Sequence, residues 1–446
     1  MRLAGALLAL ALLPGGPARA AARARDGGTF ALAILPEVAA DVAGETPEGA
    51  TLHQLYAAPL CRLEQDGRVE PLLATFQRTP EGLMVSPRPG TRFASGSPLT
   101  GAQLAQSWQR GLARNPVVRA ALAPLGNQRG AVLDPQGRAA AGAPLLLPLA
   151  HPWPDFEASL CHPALSPELG GLPPPDGVGP YGRDGRAVLE FPAGRPHPDV
   201  LATSTLPRRA ALRALQQRSI QAALGEAGDG SGPALFATYL LYRRGKPLGP
   251  LVASRLDRAA LVRSFVPAPS VAMPGLLPPA LGGPSTGPAP APGARGSGSA
   301  VLLYTKDRPV QRAVAERLQI LLRDAGVQLT LSAREPAALD AAWRDGDGDL
   351  ALRSMLLPPL AAPALAVVLD LAEAYDIGPR ELAALGSVAE PEARAARTRA
   401  RALELAPSLN VIPLFAEGPR ARFDPALVDV RRDGFGLFVL DDAWWP

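Results

Sequence analysis

Residues 300–331, "AVLLYTKDRPVQRAVAERLQILLRDAGVQLTL", hold a strand, a helix and a second strand in immediate succession. The first six residues form an apolar run of strand length. Asp307 stands where a helix cap is expected. Val310, Val314, Leu318, Leu321, Leu322 and Ala325 then recur at helical spacing until Gly326 ends the element. "VQLTL" (327–331) alternates as a strand, "AALDAAWRDG" (337–346) reads as a short helix and "DLALRSM" (349–355) as a third strand. Strands joined by crossover helices run parallel, so this unit predicts an α/β layer. Beyond it, "EPEARAARTRARALELA" (390–406) predicts a helix and "NVIPLFA" (410–416) a further strand.

The N-terminal half carries the same alternation in looser form. "TFALAIL" (29–35) is a strand candidate, and residues 51–76 read as a helical segment, a turn at Gln65 to Arg68 and a return. In "RFASGSPLTGAQLAQSWQRGL" (92–112) a tight turn feeds a helix. Thr100 is placed to cap it, Gln103 completes a capping box, and Leu99 can staple to Leu104. Leu104, Trp108 and Leu112 then form a buried stripe. Residues 208–228 predict one amphipathic helix. The Pro- and Gly-rich run 267–299 predicts a surface loop or semi-extended linker that buries too little to order itself.

A chain of 446 residues is long enough for two or three domains, and 47% hydrophobic with 19% charged residues is a globular composition. Arg2, the apolar stretch "LAGALLALALL" (3–13) and Ala18-Arg19-Ala20 read as a cleaved secretion signal over residues 1–20. A buried N-terminal helix is the alternative. No Cys closely follows the cleavage site, which argues against a lipid anchor, and no later apolar run reaches the roughly 18 residues that span a bilayer. Loss of Arg2 and Arg19 leaves the mature chain close to neutral. No basic block interleaved with aromatics is present, which disfavours nucleic acid as a partner. An oxidising compartment permits a Cys61–Cys161 disulfide; two buried thiols are the other reading.

Motifs for chemistry are absent or misplaced. "DGDGD" (345–349) opens like a calcium loop, but Leu350 and Leu356 occupy the positions that need Gly and Glu. "GPSTG" (283–287) has hydrolase spacing but sits in the Pro-rich run rather than on a strand-to-helix elbow. The four histidines, His53, His151, His162 and His197, show no metal-ligand spacing, and no glycine follows the 300–305 strand to admit a dinucleotide. The residues favour a binding protein without catalysis, cofactor or metal.

"RFASGSPLT" followed by a helix carrying Ser107-Trp108 resembles the signature of the family 5 solute-binding proteins of ABC importers, the oligopeptide-, dipeptide- and nickel-binding class. "GGTFALAIL", "VGPYG" (178–182), "RLDRAALVRSF" (255–265), "GDLAL" and "VIPLF" resemble further pieces of that family in the right order. The resemblance implies a type II periplasmic binding fold with two α/β lobes and a subdomain inserted in the first. It implies that residues 25–50, 165–245 and 406–446 form lobe I, 51–164 the insertion and 246–405 lobe II. It also implies a monomeric periplasmic receptor that closes over a peptide or other small solute and delivers it to the membrane subunits of an ABC permease. Peptide-binding members carry an acidic segment after the strand matching "DLALRSM"; this chain reads "LLPPLAAPALAVVLD" (356–370), so their amine-binding Asp has no counterpart before Asp370. Ligands of open α/β sheets lie beyond the strands' carboxyl ends, which together with the family comparison points to Arg353, Ser354 and Met355. Arg353 can pair with a carboxylate or be a surface arginine. Glu37, after the first strand, and Tyr242, at the expected hinge, are further ligand candidates, with solvation and lobe-junction packing as their structural alternatives.

Overall fold

The computed structural model describes residues 28–39, 46–132, 144–170, 176–182, 184–187, 198–228, 232–245, 248–287, 289–290, 295–441 and 443. The signal segment and His197 lie outside these.

Two sheets carry the fold. In the first, Thr29–Ile34 runs between Val200–Thr205 and Ala222–Leu224, parallel to both, and Ala421–Phe423 closes one edge antiparallel to Ala222–Leu224. The side-chain period of two sorts this strand onto both faces. Phe30, Leu32 and Ile34 pack with Leu52, Leu55, Tyr56 and Tyr181, while Ala33 joins Ala211, Leu215 and Ile220 opposite. Gly179 of the Gly-Pro-Tyr turn lies against the Tyr56 backbone, where an added Cβ would come within 2.5 Å of a carbonyl carbon.

The second sheet orders six strands as Ser270–Ala272, Val411–Glu417, Phe236–Tyr242, Leu350–Leu356, Gly298–Thr305 and Val327–Arg334. Gly298–Thr305 is parallel to both Leu350–Leu356 and Val327–Arg334, and helices Pro309–Arg323 and Pro336–Asp345 make the crossovers the periodicity predicted. The helix begins at Pro309 rather than on an Asp307 cap: proline needs no N–H at the first helical position, and Asp307 takes φ 59° in the turn before it. Phe236–Tyr242 and Val411–Glu417, placed in lobe I by the sequence reading, pair antiparallel at the centre of this second sheet. The chain therefore leaves one sheet after residue 224 and enters the other at residue 236, and crosses again at 418–420, where Gly225 N donates to Arg420 O at 2.9 Å. Glu48, buried at the start of helix Pro47–Tyr56, holds Arg420 from the first lobe at 2.8 Å.

The insertion is organised around helix Gly101–Leu112. Its capping box is complete: Gln103 N donates to Thr100 Oγ1 at 3.3 Å and Thr100 N to Gln103 Oε1 at 3.1 Å. Trp108 is buried and its indole N–H donates to Leu165 O at 2.9 Å. A disulfide joins Cys61 to Cys161 across 100 residues.

Two sequence expectations are corrected. The helix expected over 208–228 stops at Gln216; Arg218 reverses the backbone at φ 54°, and residues 222–224 are drawn into the first sheet by pairing with Leu32, Ala33 and Ile34. The run 267–299 is not uniformly superficial. Met273, Leu276, Leu277 and Leu281 are buried, and Tyr239 Oη donates to Leu276 O at 2.8 Å. The intervening prolines lower the entropy cost of ordering this segment, so four apolar anchors suffice to hold it.

Helix Ala361–Leu371 is apolar on all sides and ten of its residues, all but Asp370, are buried. Such a helix belongs in a core. It packs against Pro116–Ala121 of the insertion and against Gly378–Gly386 and Pro391–Leu405 of the second lobe, so insertion and lobe II share one hydrophobic cluster. Ion pairs Arg119–Asp370 (2.8 Å) and Arg394–Asp155 (2.5 Å) flank that junction, and His162 Nε2 lies 3.0 Å from Leu356 O. Ala164 N donates to His162 Nδ1, so Nε2 carries the proton. Burial lowers the His162 pKa to about 4, which keeps the ring neutral.

Candidate ligand cleft

A cavity of about 470 Å³ opens between the lobes and the insertion. The second lobe contributes its floor at the carboxyl ends of the strands: Thr305, Arg353, Ser354, Met355 and Leu356, with Pro336, Leu339 and Asp340 from the start of helix Pro336–Asp345. Opposite stand His53 from the first lobe, then Ser107, Arg110 and Arg114 from the capped helix and the turn after it. The segment 162–170 supplies Ser166 and Glu168.

Three expected residues thus meet at one wall, in different states. Arg353 is ion-paired with Asp340 of its own lobe. Ser354 Oγ accepts from Gln311 Nε2 at 2.9 Å and lies 2.8 Å from Thr238 Oγ1, while Gln311 Oε1 accepts from Thr305 N at 2.8 Å. That network fixes the strand end and uses much of the Ser354 hydroxyl's capacity. Met355 is 7% exposed and lines the cavity. Tyr242 is not brought to this wall. It sits opposite Leu350 at the other end of the strand pair, and its hydroxyl donates to Leu409 O at 3.0 Å. Glu37 lies on the short helix Pro36–Ala39, its side chain outside the described residues.

The residues that the sequence reading missed lie on the insertion side. Glu168 is fixed from three directions: its N–H donates to Ser107 Oγ at 3.0 Å, its carbonyl accepts from Arg110, and its carboxylate is 3.0 Å from His53 Nε2. Ser166 is 4% exposed, and among the described residues its hydroxyl has no hydrogen-bond partner. The available signal was the polar face of the 101–112 helix, where Arg110 and Arg114 are spaced i, i+4.

The Arg353–Asp340 pair separates this cavity from a chamber of about 250 Å³ that includes Arg119, Trp343, Asp370, Glu373 and the exposed Tyr375. Its charged groups are internally matched. Arg119 holds Asp370, Trp343 Nε1 donates to Glu373 Oε1 at 3.2 Å, and Arg243 stacks 3.9 Å from the Trp343 ring centroid. Asp370, the first acid after the strand, is thereby spent on the insertion. Among the described residues, no group of three or more His, Cys, Asp or Glu side chains could hold a metal.

No family model and no curated protein matches the sequence. Solved structures do. Nickel-binding NikA from Staphylococcus aureus, in complex with Ni(L-His)2, superposes with a TM-score of 0.66 at 12% identity, over 94% of this chain and all of that one. The Escherichia coli murein tripeptide binding protein MppA gives 0.65 at 16% identity, covering 95% and 99% of the two chains. The fold is therefore that of the family 5 substrate-binding proteins, the type II periplasmic binding architecture with two α/β lobes. An unliganded open form of MppA gives only 0.53 at 16% identity over 95% and 98%.

Proposed function

We propose that this protein is a periplasmic solute-binding receptor of an ABC importer that captures a peptide, peptide-like or other small solute in the inter-lobe cleft and presents it to a membrane permease. The observation that carries this reading is the 470 Å³ cavity, in which polar groups from both lobes and the insertion converge beyond the strand ends. A ligand touching all three parts stabilises the closed arrangement by its differential affinity. The neighbouring structures, one holding a nickel–histidine complex and one named for a murein tripeptide, support the receptor role. Export rests on the signal segment, and among the described residues no helix is long and apolar enough to cross a membrane.

Thermal-shift screening of the purified protein against peptides and small solutes tests this. A true cargo at a hundred times its Kd adds about 2.7 kcal/mol to the unfolding free energy. A library that shifts nothing removes the receptor role. One observation favours a second reading, a non-transporting scaffold: the buried helix Ala361–Leu371 clasps lobe II to the insertion. Specific retention by a permease only when solute is present separates the two, since a scaffold binds its partner regardless of solute.

A further inference from the structure

The receptor reading above leaves the chemical class of the cargo open, and the cavity's donor inventory narrows it. Three guanidinium groups, Arg110, Arg114 and Arg353, face two carboxylates, Glu168 and Asp340. Both carboxylates are occupied, Glu168 by His53 and Asp340 by Arg353. An incoming ammonium therefore meets Asp340 already in an ion pair and Glu168 already holding an imidazole N–H, so it competes with a partner in place at each. The donors are in the opposite state. Arg110 commits one N–H to the Glu168 carbonyl, which leaves most of its fork unspent. Arg114 is exposed and makes no ion pair among the described residues. Ser107 Oγ accepts from Glu168 N, so its own proton is directed elsewhere. Ser166 is buried and, among the described residues, its hydroxyl has no hydrogen-bond partner, an arrangement that is destabilising unless something in the cavity meets it.

The geometry points to a small organic anion as the cargo, its carboxylate docked on Arg110 and Arg114 with the Ser166 hydroxyl as a further donor. This proposal rests on the receptor reading. It gives the cleft a preference that the missing acidic segment implies by subtraction: the anchor is an acid group of the solute, and a free amine contributes nothing. A short peptide qualifies through its C-terminus alone. The matched ion pair Arg353–Asp340 stays intact as the floor.

The test uses the purified full mature protein and four probes in calorimetric titration: N-acetyl-Ala-Ala as free acid, the same compound as its amide, H-Ala-Ala-amide, and glutarate. The expected result is binding of the acid and of glutarate, with both amides weaker by at least about tenfold. Arg114→Gln, at an exposed position, should weaken both acids by about tenfold while leaving the unliganded melting temperature unchanged. Ser166→Ala should weaken them several-fold. Equal affinity for H-Ala-Ala-amide and the acid overturns the anion assignment and leaves a receptor of another class. Acid binding indifferent to Arg114→Gln and Ser166→Ala overturns the assigned anchor. No heat from any probe, with no shift across the wider solute library, overturns the receptor reading as well.

Discussion

Asp155→Ala removes one half of a buried ion pair that joins the insertion to the second lobe. The Arg394 side chain is 5% exposed and Asp155 12%, and the two meet bidentately, Nε to Oδ2 at 2.9 Å and Nη2 to Oδ1 at 2.5 Å. Deleting the carboxylate strands a guanidinium in protein, a change that typically costs about 3–5 kcal/mol. Here Nη1 keeps the carbonyls of Val388 and Ala389 at 2.7 and 2.9 Å, which continue to solvate the cation. The lower end, about 3 kcal/mol, is therefore expected, or roughly a hundredfold in the folding equilibrium. Arg394→Met removes the cation and strands those two carbonyls instead. Because no guanidinium is left to strand in the Met background, Asp155→Ala should cost far less when Arg394 is already Met, giving a coupling energy of about 2 kcal/mol or more. Urea denaturation followed by circular dichroism measures all three variants. A single-mutant cost below about 1 kcal/mol, or additive costs in the double variant, would refute the claim that this pair clamps the junction.

Two further outcomes follow from other parts of the fold. Replacing Cys61 and Cys161 by Ala should cost up to about 4–5 kcal/mol, because the bridge closes a loop spanning 100 residues; urea midpoints of wild type with and without reductant must differ in the same direction. Burial, reinforced by the neighbouring Glu48, raises the Glu417 pKa to about 7 from its ordinary 4.5. The folded state then keeps a proton that the unfolded chain has released, so this contribution is fully present below pH 4.5 and is lost as pH rises towards 7, at up to about 1.4 kcal/mol per pH unit. Glu417→Gln should remove that slope from a stability–pH profile and gain stability at pH 8; an unchanged profile would count against a buried acid at the crossing. Asp433, raised to about 7 by burial, adds a slope of the same sign that survives in the variant, while His162 contributes the opposite sign between about pH 4 and 6.5.

Periodicity made the second lobe legible because its unit is local. Val314, Leu318 and Leu322 lie on one helix face whatever the rest of the chain does, and each is fully buried. The capping box at Thr100 is legible for the same reason, since both of its bonds lie within four residues. Non-local pairings were not. Residues 222–224 have helical composition, and only their two distant partners, Thr29–Ile34 and Ala421–Phe423, each nearly two hundred positions away, make them a strand. Leu276 and Leu277 read as loop residues until the Tyr239 hydroxyl gives the segment an anchor. In the cleft, strand-end logic together with the family comparison pointed to Arg353, Ser354 and Met355, which line the cavity because sheet polarity puts them at its floor. Arg110 and Ser166 escaped it, since their roles depend on how the insertion docks, and Asp340's claim on Arg353 is invisible without the crossover helix in place.

That docking also constrains how a solute can enter. Parting the insertion from lobe II would uncover the face of helix Ala361–Leu371 that packs on Pro116–Ala121 and would break two partly buried ion pairs. Each large apolar side chain uncovered costs about 1.5–3 kcal/mol, and the ion pairs add to that, against the roughly 8 kcal/mol that a micromolar ligand supplies. A ligand shifts an equilibrium only by its differential affinity, so it cannot drive that separation back and forth. The junction between the first lobe and the rest is built differently. Its contribution to the cavity wall is helix Pro47–Tyr56, and of the two crossings to the second sheet the one at 418–420 is pinned by the Glu48–Arg420 pair. The insertion is likewise held to the first lobe's C-terminal segment, by the Arg62–Asp441 pair at 2.7 Å and by Arg431–Glu64 at 2.8 Å, so an opening that leaves it on lobe II must break both of these.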